Sequence, residues 1–136
     1  MLTSPMLLPA TVDSIGQISL QAHLALKAFD LSEGNKRLLV ELFRVVYMSW
    51  FLKEAGVGQA ETLLYARCNK ILEDTAIRAK REGVWSIPRA DVPVLQQMQS
   101  VYDAQIAQAP MFLMKRCQLQ IRTNLEAGNK TPWLSF

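Results

Sequence analysis

The stretch LLVELFRVVYMSWFL, residues 38–52, decides the fold of this chain. Twelve of its fifteen residues are apolar, and the three polar ones are Glu41, Arg44 and Ser49. A helix that is apolar around most of its circumference must be covered by several neighbours. We therefore predict an all-α fold, a single-domain bundle of about five helices around a central, nearly all-apolar second helix.

The same stretch is too short to be a membrane span. A transmembrane helix needs about 20 mostly apolar residues, whereas this run is shorter, contains Glu41 and Arg44, and has charged residues on both flanks. The N-terminal sequence MLTSPMLLPA is apolar, but it lacks basic residues and is broken by two prolines, so it does not resemble a signal peptide. We expect no membrane contact and a cytoplasmic location.

Amphipathic patterns on both sides of the central stretch predict the other helices. The first is expected to begin near Ser14, which stands at capping-box spacing from Gln17, and to end near Asp30. The second is expected to begin at Ser32 or Glu33, with Ser32 as its N-cap. The first helix should bury residues that recur at steps of three and four: Ile15, Ile18, Ala22, Ala25 and Phe29. The remaining helices are predicted over residues 59–82, 91 to Pro110, and 111–127.

These helices predict one domain with two short tails. We place the helical domain at residues 14–129, an apolar N-terminal tail at residues 1–13 and a C-terminal tail at residues 130–136. Two cysteines, Cys68 and Cys117, are too few for a disulfide framework. Both lie among apolar residues of helical patterns, so we expect buried free thiols and a reducing compartment.

No motif of catalysis, metal binding or nucleotide binding is present in the sequence. His23 is the only histidine, and nothing in the pattern pairs it with a cysteine nucleophile. One histidine and two distant cysteines make a poor zinc site, and neither Gly-rich phosphate-binding motif occurs. We expect a protein that is not an enzyme and that has no catalytic residues, no cofactor and no metal.

The basic residues near the C-terminus suggest a nucleic-acid-binding regulator as the alternative function. The formal charge is +3, and residues 1–109 sum to zero, so the excess lies in residues 110–136. The candidate contacts are Lys115, Arg116, Arg122 and Lys130. A helix-turn-helix over residues 53–72 is less favoured, because its second helix would begin with few cations. The charged residues of the predicted fifth helix are also more typical of a solvent-exposed helix face than of a surface that binds phosphates.

The apolar ends of the chain suggest contacts with another protein. Terminal segments are usually polar and loose unless something holds them, and packing of both ends against the bundle is one explanation. A protein interface is the other, since aromatic residues are enriched there. The candidate interface residues are Leu7, Leu8, Trp133, Leu134 and Phe136. We expect an adaptor, inhibitor or accessory factor whose partner is another protein or a second copy of the chain. Such small helical proteins are common among bacterial accessory genes, an association from fold class alone.

Overall fold

The chain forms a single all-α bundle, as the sequence predicted. The computed structural model describes residues 12–126, with side chains for residues 15–123. Residues 12–126 form five helices, α1 (Val12–Asp30), α2 (Lys36–Glu54), α3 (Thr62–Glu82), α4 (Val92–Ile106) and α5 (Met111–Glu126). Within residues 12–126, no helix is long and apolar enough to cross a membrane. The predicted C-terminal tail and residues 1–11 of the predicted N-terminal tail lie outside the described residues, whereas residues 12 and 13 belong to α1.

Helix α2 is the central element of the bundle. It contacts each of the other four helices, whereas α1 makes its main contacts with α2 and α4. Its middle turns are buried on all sides, including six consecutive residues from Val45 to Trp50. Arg37 and Arg44 are exposed and Glu41 is partly exposed, so the polar stripe of this helix faces solvent. The predicted central role of the second helix follows from this packing.

The predicted start of α2 is wrong by a few residues. Ser32 is not its N-cap, because Ser32 adopts a left-handed backbone conformation with φ 58° in the turn after α1. The cap is Asn35, whose side-chain oxygen accepts a hydrogen bond from the Leu38 amide at 2.9 Å. Ser14 is likewise not the cap of α1, since this helix already includes Val12.

A buried polar network joins α2, α3 and α4. The Ser49 hydroxyl donates to Gln105 Oε1 at 2.5 Å and lies 2.9 Å from the Tyr65 hydroxyl, which therefore donates to it. Gln105 Nε2 donates to the carbonyl oxygens of Ser49 and Val57, at 3.0 and 2.8 Å. Gly58 has φ +92°, and a Cβ atom there would come within 2.7 Å of the Gln105 amide. The network explains why polar groups are tolerated in this core.

The connector between α3 and α4 packs on the end of α1. Ile87 is buried, and the Trp85 ring lies 6.4 Å from the Phe29 ring. Arg78 donates a hydrogen bond to the Ser86 carbonyl oxygen at 2.9 Å, which ties the connector to α3. Trp85 and Ile87 therefore hold the connector against the core. These contacts fix the C-terminal end of α1 in the bundle.

Candidate protein-interaction surface

Helix α1 carries apolar residues on two opposite sides. Ala22, Ala25, Leu26 and Phe29 are buried against the core, and Ile15 and Ile18 pack beside them. The predicted buried face of the first helix is therefore confirmed. Residues advance by about 100° around an α-helix, so the side opposite this face belongs to a different set of residues.

The outer side of α1 exposes three leucines in a row. Leu20, Leu24 and Leu31 are 57%, 57% and 55% exposed. With the exposed Lys27 they form one stripe along the helix, which we call the α1 surface. Leu31 follows the last residue of α1, but its amide donates to the Lys27 carbonyl oxygen at 3.0 Å and so continues the helical path. Single exposed leucines are ordinary, whereas an aligned set suggests an interaction site.

Polar contacts with α4 fix which side of α1 faces outward. His23 Nε2 lies 2.8 Å from Asp103 Oδ2, and Gln99 Nε2 donates to the Ala22 carbonyl oxygen at 2.7 Å. These bonds join α1 to α4 along two successive turns. Both hydrogen bonds come from α4, so α1 cannot rotate its outer side into the core without breaking them.

A cleft of about 340 Å³ runs beside the α1 surface, between α1 and α4. Leu24 and Lys27 line it, so the cleft continues the apolar stripe toward α4. Gln99 also lines it, and its side-chain oxygen is buried without a hydrogen-bond partner among the described residues. The site thus combines an apolar ridge with a partly polar groove.

The residues predicted as the protein interface cannot be compared with this surface. Leu7, Leu8, Trp133, Leu134 and Phe136 all lie outside the described residues, and they stay predictions. The leucines of α1 are residues that the sequence reasoning missed. Their spacing of four and seven residues was visible in the sequence, but the sequence interpretation considered only the buried stripe of the same helix.

The basic residues predicted on α5 are exposed. Lys115, Arg116 and Arg122 all face solvent, and Lys130 lies outside the described residues. Lys115 and Arg122 share one ridge of the helix, and Leu119 lies between them on it, 60% exposed. The ridge therefore mixes cations with an exposed leucine.

Both cysteine thiols are buried and free, as predicted. Burial raises the pKa of Cys68 to about 12, although Arg67 lowers it. Burial also raises the pKa of Cys117 to about 11 against the opposing effect of Arg116. The Cys68 thiol donates a long hydrogen bond to the Val94 carbonyl oxygen, at 3.8 Å. Thiols with raised pKa values hold little of the nucleophilic thiolate at neutral pH.

No group of three or more His, Cys, Asp or Glu side chains in the described part of the chain is arranged to hold a metal ion. Comparisons with family models, curated proteins and solved structures found no match to this chain.

Proposed function

We propose that this protein acts through contacts with a protein partner, as an adaptor, inhibitor or accessory factor, and that the α1 surface makes those contacts. The observation that carries the proposal is the alignment of Leu20, Leu24 and Leu31 on the side of α1 opposite the core, each more than half exposed. Burying such side chains against a partner is favourable by about 1.5–3 kcal/mol each when burial is complete. The same leucines left in water stabilise nothing.

The composition of the α1 surface also favours a protein partner. Its only charged side chain is Lys27, whose ammonium lies 3.6 Å from the Asp30 carboxylate. The cores of protein interfaces are more apolar than their rims, and three of the four residues of the α1 surface are leucine. We place the protein in the cytoplasm, because two buried free cysteines suit a reducing compartment.

A photo-crosslinking amino acid at position 24 tests the proposal in the source cell. The matched control is the same amino acid at position 119, because Leu24 and Leu119 are exposed to nearly the same extent, 57% and 60%. We expect a protein adduct from position 24 and none from position 119. Adducts from neither position, or equally from both, would contradict a contact at the α1 surface.

Nucleic-acid binding by α5 remains the alternative proposal. It is supported by the exposure of Lys115, Arg116 and Arg122 on one helix. If these three residues contact phosphates, raising the salt concentration from about 50 to 200 mM should weaken binding by some tens of fold. Replacing all three residues with alanine should abolish such binding. No binding to DNA or RNA at low salt would exclude this alternative and leave the α1 proposal untouched.

A further inference from the structure

We propose that the cleft between α1 and α4 binds a guanidinium group, carried by an arginine side chain of the protein that contacts the α1 surface. The source of this group rests on the proposed function, since Leu24 and Lys27 belong both to the cleft and to the α1 surface. Three features carry the inference: buried oxygens without donors, the carboxylates around the cleft and the size of the cleft.

The orientation of the Gln99 amide leaves its oxygen without a donor. Gln99 is only 2% exposed, and it lines the cleft. Its Nε2 lies 2.7 Å from the Ala22 carbonyl oxygen, which can only accept a hydrogen bond, so the amide nitrogen must occupy this position. Oε1 is buried, and no described residue donates to it. A buried acceptor without a donor is unfavourable, so a ligand that supplies an N–H group is favoured here.

A second oxygen of the same kind lies one helical turn further along α4. Asp103 Oδ2 lies 2.8 Å from Nε2 of His23, a residue that lines the cleft. Oδ1 of the same carboxylate is buried, and no described residue donates a hydrogen bond to it. Residues four apart lie on one face of a helix, and both Gln99 and Asp103 bond to α1. Helix α4 therefore presents two acceptors without donors on the side that faces α1.

The charges around the cleft favour a cation. Asp30 lines the cleft, and Asp103 adds a second carboxylate beside His23. Lys27 also lines the cleft, with its ammonium 3.6 Å from the Asp30 carboxylate. The Lys27 side chain is 64% exposed, however, and exposed ion pairs contribute little. A cation of the partner can therefore replace Lys27 at Asp30 while the lysine turns toward solvent.

Among the cations that proteins carry, a guanidinium suits this site best. It is planar and has five N–H donors, so that one group can serve several acceptors. It is also less strongly hydrated than an ammonium, which favours a partly buried position. The cleft of about 340 Å³ is near the lower end of ligand-site volumes and suits a single side chain. Leu24, Leu26 and Val92 line it and can contact the apolar stem of an arginine.

Propylguanidinium, which reproduces the arginine side chain, tests the site by NMR titration of the full chain. We expect saturable shifts of the Gln99 side-chain amide signals, with a dissociation constant of about 1–20 mM. Propylurea has nearly the same shape without the charge and should bind at least about fivefold more weakly. The absence of saturation at about 50 mM, or equal binding of the two probes, would overturn the guanidinium site.

Substitutions at two charged residues of the cleft test the site without changing the core. Lys27→Met removes the competing cation and should strengthen binding of propylguanidinium at least about threefold, whereas Asp30→Asn should weaken it by a similar factor. The matched controls are Lys70→Met and Asp74→Asn, because these residues form a similar ion pair on α3, at 3.5 Å. Both controls should leave binding unchanged. Equal effects at the two pairs would indicate general attraction between charges and overturn the site.

Photo-crosslinking in the source cell tests whether the guanidinium belongs to the partner. Gln96 is exposed and lines the cleft, so a crosslinking amino acid at position 96 should capture the same protein as position 24, close to an arginine. Capture from position 24 alone would overturn the arginine and leave the proposed function intact. Binding of propylguanidinium without capture from either position would overturn the proposed function and the arginine, and would support a site for a free guanidinium compound.

Discussion

Helices α1 and α2 have the same length, 19 residues each, but the bundle covers them very differently. Helix α2 contacts all four other helices and buries most of its apolar residues in the core, whereas α1 rests mainly on two helices. Leu52 of α2 is fully buried and Leu24 of α1 is more than half exposed. The number of neighbours, and not the apolar content of a helix, decides what is left for a partner to cover.

The largest expected effect comes from making the same substitution in both helices. Leu52→Ala should lower the free energy of unfolding by about 2–5 kcal/mol, because it leaves a cavity in a packed core. Leu24→Ala should change it by less than about 0.5 kcal/mol in the monomer, because more than half of this side chain already lies in water. Urea unfolding at low protein concentration measures both. Equal losses would mean that the outer side of α1 is covered within one chain.

The burial of the thiols also makes the free energy of unfolding depend on pH. Burial raises the pKa of Cys68 from 9.0 to about 12, so the folded chain keeps this proton while the unfolded chain loses it. The contribution of this thiol to the free energy of unfolding is complete below pH 9 and is lost as the pH rises toward 12. Above pH 9 the free energy of unfolding should fall by up to about 1.4 kcal/mol per pH unit for this thiol.

Chemical unfolding between pH 8 and 10, below most tyrosine titration, measures this slope. Cys117 contributes in the same direction, since burial raises its pKa to about 11. Cys68→Ala should therefore reduce the slope without abolishing it, whatever its effect on stability at neutral pH. A free energy of unfolding that stays constant from pH 8 to 10 would contradict the burial of both thiols.

Substitutions in the junction between α1 and α2 should have a smaller effect on the free energy of unfolding. Asn35→Ala removes the hydrogen bond from the Leu38 amide to the cap and should cost about 1 kcal/mol. Ser32→Ala is the matched control and should cost less than about 0.5 kcal/mol, because this residue does not cap α2. Thermal unfolding of the two variants decides which residue begins the helix. A larger loss at Ser32 would restore the start expected from the sequence.

Periodicity predicted the five helices because their buried faces repeat regularly, but it located the helix starts less well. Ser32 and Asn35 are both good caps by residue type, and only the left-handed backbone at Ser32 shows which one begins α2. The start of α3 was likewise expected at Gln59 and lies at Thr62. Local sequence preference cannot resolve such choices, because the turn geometry depends on how the neighbouring helices pack.

The candidate site was harder to predict than the fold. Helix α1 has two apolar stripes, and the sequence reasoning considered only the one that the bundle covers. Ile15, Ile18 and Ala22 were assigned correctly to the core, and this assignment alone implies that Leu20 and Leu24 face outward. The interpretation searched the ends of the chain for a contact site, where apolar residues seemed unexplained, and so it missed the stripe in the middle of the first helix.

The most direct test of the central claim is the effect of Lys27→Leu on capture of the partner by crosslinking from position 24. This substitution completes the leucine stripe without changing a core residue, because Lys27 is exposed. The yield of the protein adduct should rise, since the chain buries one more leucine against its partner. An unchanged or lower yield would contradict a partner contact at the α1 surface.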